Sequence, residues 1–272
     1  MIARRKSDIF LSKKERGQIS DYLLNIRDWK ICHMVSRYIE ALAQFREHYK
    51  KANPLSEFPF RELEKICNIL YNLKEEHHLV FKRVIGPEKI RQEDQHKIMP
   101  DESEAKFIGN VGMLFHKILV ARELKYIHLH YDPLSDVGSS AKDELIHYLH
   151  QLNDLFQAGS QVMLEFIEAH SRNVLLLSYL YTNSKMIKAS IGLSGIDILK
   201  RITGQNNLEP IYFVISRYYF ESGWYDRSQK LLKQVIRKNP KHREARALLE
   251  EVKVKKMALE SKRSSNDNGA GN

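Results

Sequence analysis

The chain is poor in the residues that punctuate a fold: its 272 residues include only 12 Gly and 7 Pro. Sandwiches and meanders draw on both at every tight turn, because glycine reaches positive φ and proline presets the bend. Most turn-rich all-β folds are therefore excluded, as are collagen-like and linker-rich chains. Cysteine is scarcer still. Cys32 and Cys67 lie inside helical patterns with no spacing typical of a zinc site or redox pair, and read as small buried hydrophobes in a reducing compartment. Long hydrophobic runs are missing too. The longest apolar stretch, Val174 to Tyr181, is interrupted by Ser178 and falls far short of the ~20 residues a bilayer requires. Arg4, Arg5 and Lys6 precede only Ile9, Phe10 and Leu11 before Lys13, too little for the apolar region of a secretory signal. These absences point to a soluble, cytoplasmic protein. No phosphate loop, Gly-x-Gly-x-x-Gly turn, His-Glu-x-x-His pair or Gly-x-Ser-x-Gly elbow occurs, so no enzyme class and no cofactor is indicated.

What the chain does have is charge, 44 Lys+Arg against 34 Asp+Glu, for a net +10. Its distribution decides its meaning. Met1 to Arg16 holds six basic and two acidic residues, and Arg227 to Arg263 holds thirteen against four, so the ends carry +13 and the body between them is slightly acidic. A nucleic-acid-reading domain would gather the excess on one interior face. Here it lies in a terminal arm and the last helices. Arg243, Arg246, Lys253, Lys255 and Lys256 could engage phosphates, but Glu244, Glu250 and Glu251 are interleaved with them, including Glu251 four residues before Lys255, the pattern of a solvated and internally paired helix face.

Apolar residues recur at the helical period almost from end to end. A capping box at Ser12 and Glu15 opens a first segment through Ile19, Leu23 and Ile26, which shifts phase near Asp28-Trp29 as at a kink or tight turn. It resumes as Ile31, Val35, Tyr38, Leu42, Phe45 and Tyr49 and stops at Asn53-Pro54, since the residue before proline is pushed from helical geometry. A second helix starts near Ser56 and Pro59, carries Leu63, Ile66, Leu70, Leu73 and Leu79, and ends before Gly86-Pro87. A polar loop follows to about Glu102. Further helices are predicted over 103–130, from a Ser140/Asp143 cap to about Ala169 with a bend at Gly159-Ser160, and then, in shorter pieces, over 173–190, 194–203, 209–221, 224–238 and 241–261. Ile211 to Phe220 would pass for a strand on propensity alone, but its neighbours argue for helix. The organisation is thus a basic arm (1–12), a region of long helical hairpins (13–170), an array of short helices with a capping helix (172–261), and a Ser/Asn/Gly-rich tail (262–272) that reads as disordered.

Within the short-helix array one unit has a definite pattern. With Pro240 as its terminal proline, Tyr212 and Ile215 are the large residues of a first helix, Ser216 is small, Tyr219 is aromatic and Gly223 permits the turn. Ser228 is the small residue of the second helix, Leu232 its large apolar position, and Val235 stands where alanine is usual. This segment resembles a tetratricopeptide repeat, a 34-residue helix-turn-helix unit. The resemblance covers one repeat and the capping helix after it. Since about three units are needed for such an array to bury its faces, upstream helices must complete the stack. It implies an all-α fold of antiparallel helical hairpins forming an α-α superhelix, and a scaffold or interaction module that binds a peptide or partner helix. The groove side of the first helix would present Phe213, Arg217, Phe220 and Glu221. Phe213 and Phe220, seven apart, would equally serve as core against the upstream pair. Repeats that clamp a terminal carboxylate place Lys and Asn where this chain has Phe213 and Arg217, which disfavours that ligand class.

A second reading comes from the 12 histidines. Glu-x-x-His puts two ligands on one helical face and occurs at Glu75/His78, Glu93/His96 and Glu144/His147. Glu93/His96 falls in the polar loop. Glu144, His147 and His150, joined by His116, His128 or Glu123 from the adjacent helix, make the better set for a bundle holding a metal or small ligand. A solvated, hydrogen-bonded polar face is the competing account of the same residues.

Overall fold

The computed structural model describes residues 13–83, 101–131, 136–204 and 207–267. Among them it contains ten α-helices, one 3₁₀ turn and no strand, so the chain is all-α. It divides into two compact units, Met1–Phe166 and Ile167–Asn272. The arm over 1–12 with the Ser12 half of its capping box, most of the polar loop including Glu93 and His96, Asp132-Pro133, and 268–272 lie outside the described residues. So do the side chains of Glu15, Ile19, Leu23, Ile26, His78 and Leu79.

In the first unit α1 (Lys13–Lys51) is followed by the 3₁₀ turn Leu55–Glu57, α2 (Phe60–Arg83), α3 (Glu102–His130) and α4 (Asp136–Ala169), whose last turn passes into the second unit. The change of phase near Asp28-Trp29 does not interrupt α1. Trp29 is exposed, stacks on His33 one turn later, and takes no part in the apolar stripe. Ile31, Val35, Tyr38, Leu42 and Phe45 are buried as their spacing predicts; so are Leu63, Ile66, Leu70 and Leu73 of α2, which packs on both α1 and α3, and Phe107, Val111, Leu114 and Ile118 of α3. α2 begins just after Pro59, as a proline that lacks a donor allows, and Ser56 lies in the 3₁₀ turn.

Aromatic rings fill the centre of this unit. Tyr38 meets Phe107 at 5.3 Å and Phe156 at 6.1 Å between centroids, Phe45 meets Phe156 at 4.9 Å, and Phe107 stacks on Phe166 at 4.8 Å. α3 starts at Glu102 because Asp101 caps it, Oδ1 accepting from the Glu104 amide at 2.9 Å. The Lys30 ammonium donates to Glu104 Oε1 at 2.5 Å in a buried pair between α1 and α3. The Lys125 ammonium donates to the Ser56 carbonyl, and its burial holds its pKa below the ordinary lysine value, partly offset by Glu57.

α4 corrects two expectations. It begins at Asp136, so Ser140 and Asp143 lie inside the helix rather than capping it. It also runs unbroken through Gly159-Ser160. The glycine is required sideways: a Cβ there would overlap the Tyr38 hydroxyl and the Asn110 side-chain oxygen, both buried. Ser160 returns its hydroxyl to the Phe156 carbonyl at 2.8 Å, which keeps it compatible with a helix interior.

The second unit contains α5 (Val174–Thr182), α6 (Ser184–Ile191), α7 (Gly195–Thr203), α8 (Glu209–Glu221), α9 (Tyr225–Lys238) and α10 (Arg243–Asp267). The single helix expected over 173–190 is in fact two. Asn183 sits at φ −101°, ψ 18°, and its side-chain amide donates back to the Tyr179 carbonyl at 3.1 Å, a local bond that competes with helix continuation within a Thr-Asn-Ser triplet. Asn173 caps α5, and a reciprocal Ser194/Asp197 capping box starts α7. The β-branched run in α8 is helical. α10 extends through Asp267, beyond the predicted end at Ser261, since adding residues to a formed helix is far easier than nucleating one.

Candidate partner-binding surface

Three features of the chain build the α8–α9 pair. Gly223 adopts φ +76°, a left-handed turn that L side chains resist. Ser216 and Ser228 are wholly buried where the helices meet, and the Ser228 hydroxyl donates to the Ser216 carbonyl at 2.8 Å. A side chain one atom longer than alanine thus reaches the backbone of the facing helix, so the two backbones lie close. Asn239, ahead of Pro240, leaves helical geometry and ends α9. Its side-chain amide donates to Glu209 at 3.1 Å, tying the end of α9 to the start of α8.

Tyr212, Ile215, Tyr219, Leu232 and Val235 are all buried. Tyr219 links α8 to α5: its hydroxyl oxygen receives the Ser178 hydroxyl at 3.0 Å and shares a hydrogen bond with Thr182 at 2.8 Å. Tyr181 meets Tyr212 edge-on at 5.5 Å, and burial pushes both phenols above their ordinary pKa.

The four residues expected to face a partner share one side of α8, at spacings of four, seven and eight. Arg217 and Glu221 are exposed and paired with each other at 3.0 Å. Phe213 and Phe220 are half-buried, and their ring contacts are with downstream residues: Phe213 with His242 at 4.7 Å, Phe220 with Tyr225 at 5.8 Å.

The histidine set of α4 goes in different directions. His147 Nε2 accepts from the Gln151 amide at 2.5 Å, and Gln151 Oε1 in turn accepts from Lys117 at 2.7 Å. His150 Nδ1 is 2.9 Å from the Tyr49 hydroxyl on α1. Glu144 and His116 are exposed, Glu123 pairs with Arg122, and His128 is half-buried. Among the described residues no three His, Cys, Asp or Glu side chains converge on a possible metal position. On α10, Lys253 pairs with Glu250 at 2.7 Å and Lys256 with Asp226 of α9 at 2.7 Å; Glu251 and Lys255 are both exposed.

Sequence reasoning missed a cleft of about 690 Å³ in the same unit. The end of α5 (Tyr181, Thr182), the start of α6 (Asn183 to Met186), Ile196 and one side of α9 (Arg227, Lys230, Leu231) enclose it. Arg227 and Lys230 are three apart and belong visibly to one helix face, but Lys185 joins them only through the fold. A second hollow of about 500 Å³ lies between Trp224–Arg227 and Lys256–Glu260, with the Arg227 guanidinium 4.9 Å above the Trp224 ring.

No family model, curated protein or solved structure matches this chain. What its fold defines is an all-α protein in which, among the described residues, no helix is long and apolar enough to cross a membrane.

Proposed function

We propose that the chain is an interaction module or scaffold whose C-terminal unit acts as a tetratricopeptide-like surface, binding a peptide or partner helix across Phe213, Arg217, Phe220 and Glu221. The superhelical stacking of hairpins typical of such arrays is part of this proposal. So is a cytoplasmic setting, which suits the free thiols of Cys32 and Cys67.

The observation that carries the reading is the Arg217–Glu221 pair. It is exposed between two half-buried aromatics, and it runs in the order that helix electrostatics disfavour, with the cation nearer the N-terminus and Glu221 as the last residue of α8. A pair present only to stabilise α8 would have the opposite order. Phe213, Phe220 and Arg217 are of the aromatic and arginine types enriched at interface centres, while Glu221 holds the arginine in place.

The test exchanges the charges. Arg217→Glu combined with Glu221→Arg keeps an ion pair and improves its orientation, so the melting temperature should be equal or slightly higher. Of the peptides selected against the wild-type chain from a random display library, a distinct subset should bind the exchanged variant at least about tenfold more weakly, a loss of ~1.4 kcal/mol. A selection in which every peptide binds the exchanged variant equally well would remove this surface from the proposal.

A further inference from the structure

The geometry points to a second binding site in the C-terminal unit: we infer that the cleft between α5, α6 and α9 takes an acidic peptide segment carrying a large apolar side chain. This site shares no residue with the Arg217–Glu221 face and stands whether or not that face binds anything.

Charge complementarity is the first argument. The cleft is lined by three cations, Lys185, Arg227 and Lys230, and by no carboxylate. All three are exposed, and none has an ion-pair partner among the described residues, whereas Lys253 and Lys256 on neighbouring α10 do. Three like charges around one concavity repel one another. The arrangement is stabilised when anionic groups enter, and walls of low polarisability strengthen the attraction above its value on a flat surface.

The rest of the lining identifies the anion's attachment. Met186, Ile196 and Leu231 give the cleft apolar walls, and Met186 is 45% exposed, an unbranched and adaptable side chain at the mouth. The volume lies in the range of sites that enclose a small ligand or a few side chains. The cations at the rim with apolar residues beside them match carboxylates flanking an apolar anchor. A nucleic acid would instead find no aromatic platform here: Tyr219 is buried, and Tyr181 is edge-on to Tyr212. The first turn of α6 also opens on the cleft, and no side chain caps it, since the Asn183 amide is turned back to Tyr179.

The probe is a random display library of short peptides selected on the full chain and on Lys185→Glu/Arg227→Glu/Lys230→Glu. Wild type should enrich sequences of net negative charge with at least one large apolar residue, and binding of these as synthetic peptides should weaken steeply between 50 and ~300 mM salt. The triple variant should lose them by tenfold or more, as should Lys185→Gln/Lys230→Gln, which removes charge without adding any and serves if the triple variant melts earlier. Arg217→Glu/Glu221→Arg should retain them, which separates this site from the α8 face. Absence of acidic enrichment, enrichment that survives both cleft variants, or tighter binding of an oligothymidine than of any selected peptide would each overturn the inference.

Discussion

The two units achieve helix packing by different means. In Met1–Phe166 long helices meet ring against ring: Tyr38, Phe45, Phe107, Phe156 and Phe166 are all fully buried, and their mutual contacts occupy the centre. In Ile167–Asn272 short helices meet through small residues and hydroxyls, Ser216 against Ser228 and Tyr219 against Ser178 and Thr182. The difference lies in which side chains make the contact. When rings form it, those five are consumed inside, while Trp29, Tyr71, Tyr126 and Tyr131 stay exposed at the edges of the same unit. When serine forms it, the backbones come close, and Phe213, Phe220 and Trp224 lie half-buried or exposed beside the contact. The proposed binding surfaces both lie in the unit built the second way.

That contrast can be broken from either side. Phe156→Ala should have the largest effect, about 3–5 kcal/mol, because it removes the ring that joins Phe45 to Tyr38 and leaves a cavity. Hydrogen exchange resolved by peptide should show the loss in α1, α3 and most of α4, with protection of α8 and α9 little changed. Ser228→Leu tests the opposite rule. A large apolar residue that would suit the first unit should cost about 1–3 kcal/mol here, because it forces α8 and α9 apart; denaturant unfolding that shows a gain in stability would refute the small-residue account.

Smaller effects sharpen the comparison. Tyr219→Phe keeps the ring but leaves the Ser178 and Thr182 hydroxyls without their partner, and should cost about 1–2 kcal/mol, with faster exchange at the α5–α8 contact. In the first unit Cys32 is pushed up to about 11, by burial first and then by the Asp28 carboxylate. Below pH ~9 folded and unfolded chains both hold that proton. Between pH ~9 and ~11 the unfolded chain releases it first and is favoured, so wild type should lose up to about 2 kcal/mol relative to Cys32→Ala across that window. Cys67 is buried as expected and Cys32 only half-buried; parallel pH profiles for the two proteins would rule out a partly desolvated, protonated Cys32 thiol.

Much of this fold is legible in the residues. α8 matches its predicted bounds, Glu209 to Glu221, since Pro210 suits a first turn and Gly223 a stop, and the stripe residues from Ile31 to Phe45 of α1 and from Leu63 to Leu73 of α2 are buried as their period requires. Features that depend on neighbours are not legible. Gly159 reads as a bend, and only Tyr38 and Asn110 beside it show that it is a point of contact. Asn183 splits a helix that periodicity would continue, through a bond to Tyr179 that spacing does not announce. Glu144, His147 and His150 look like a ligand set along the chain, but their partners sit on other helices and draw the two rings apart. The cleft has the same origin, since Lys185 meets Arg227 and Lys230 only once α6 and α9 are in place.

The most direct measurement compares the units as binding surfaces in the full chain. A photo-crosslinking benzoylphenylalanine would replace Val214 on α8, which is 40% exposed and three residues before Arg217, or, as the counterpart, Met113 on α3, which is 55% exposed in the first unit. Irradiation with the peptides that lose affinity for the exchanged variant should give a covalent adduct at position 214 and none at 113. Adducts at 113 alone, or equal yields at both, would contradict the assignment of binding to the C-terminal unit.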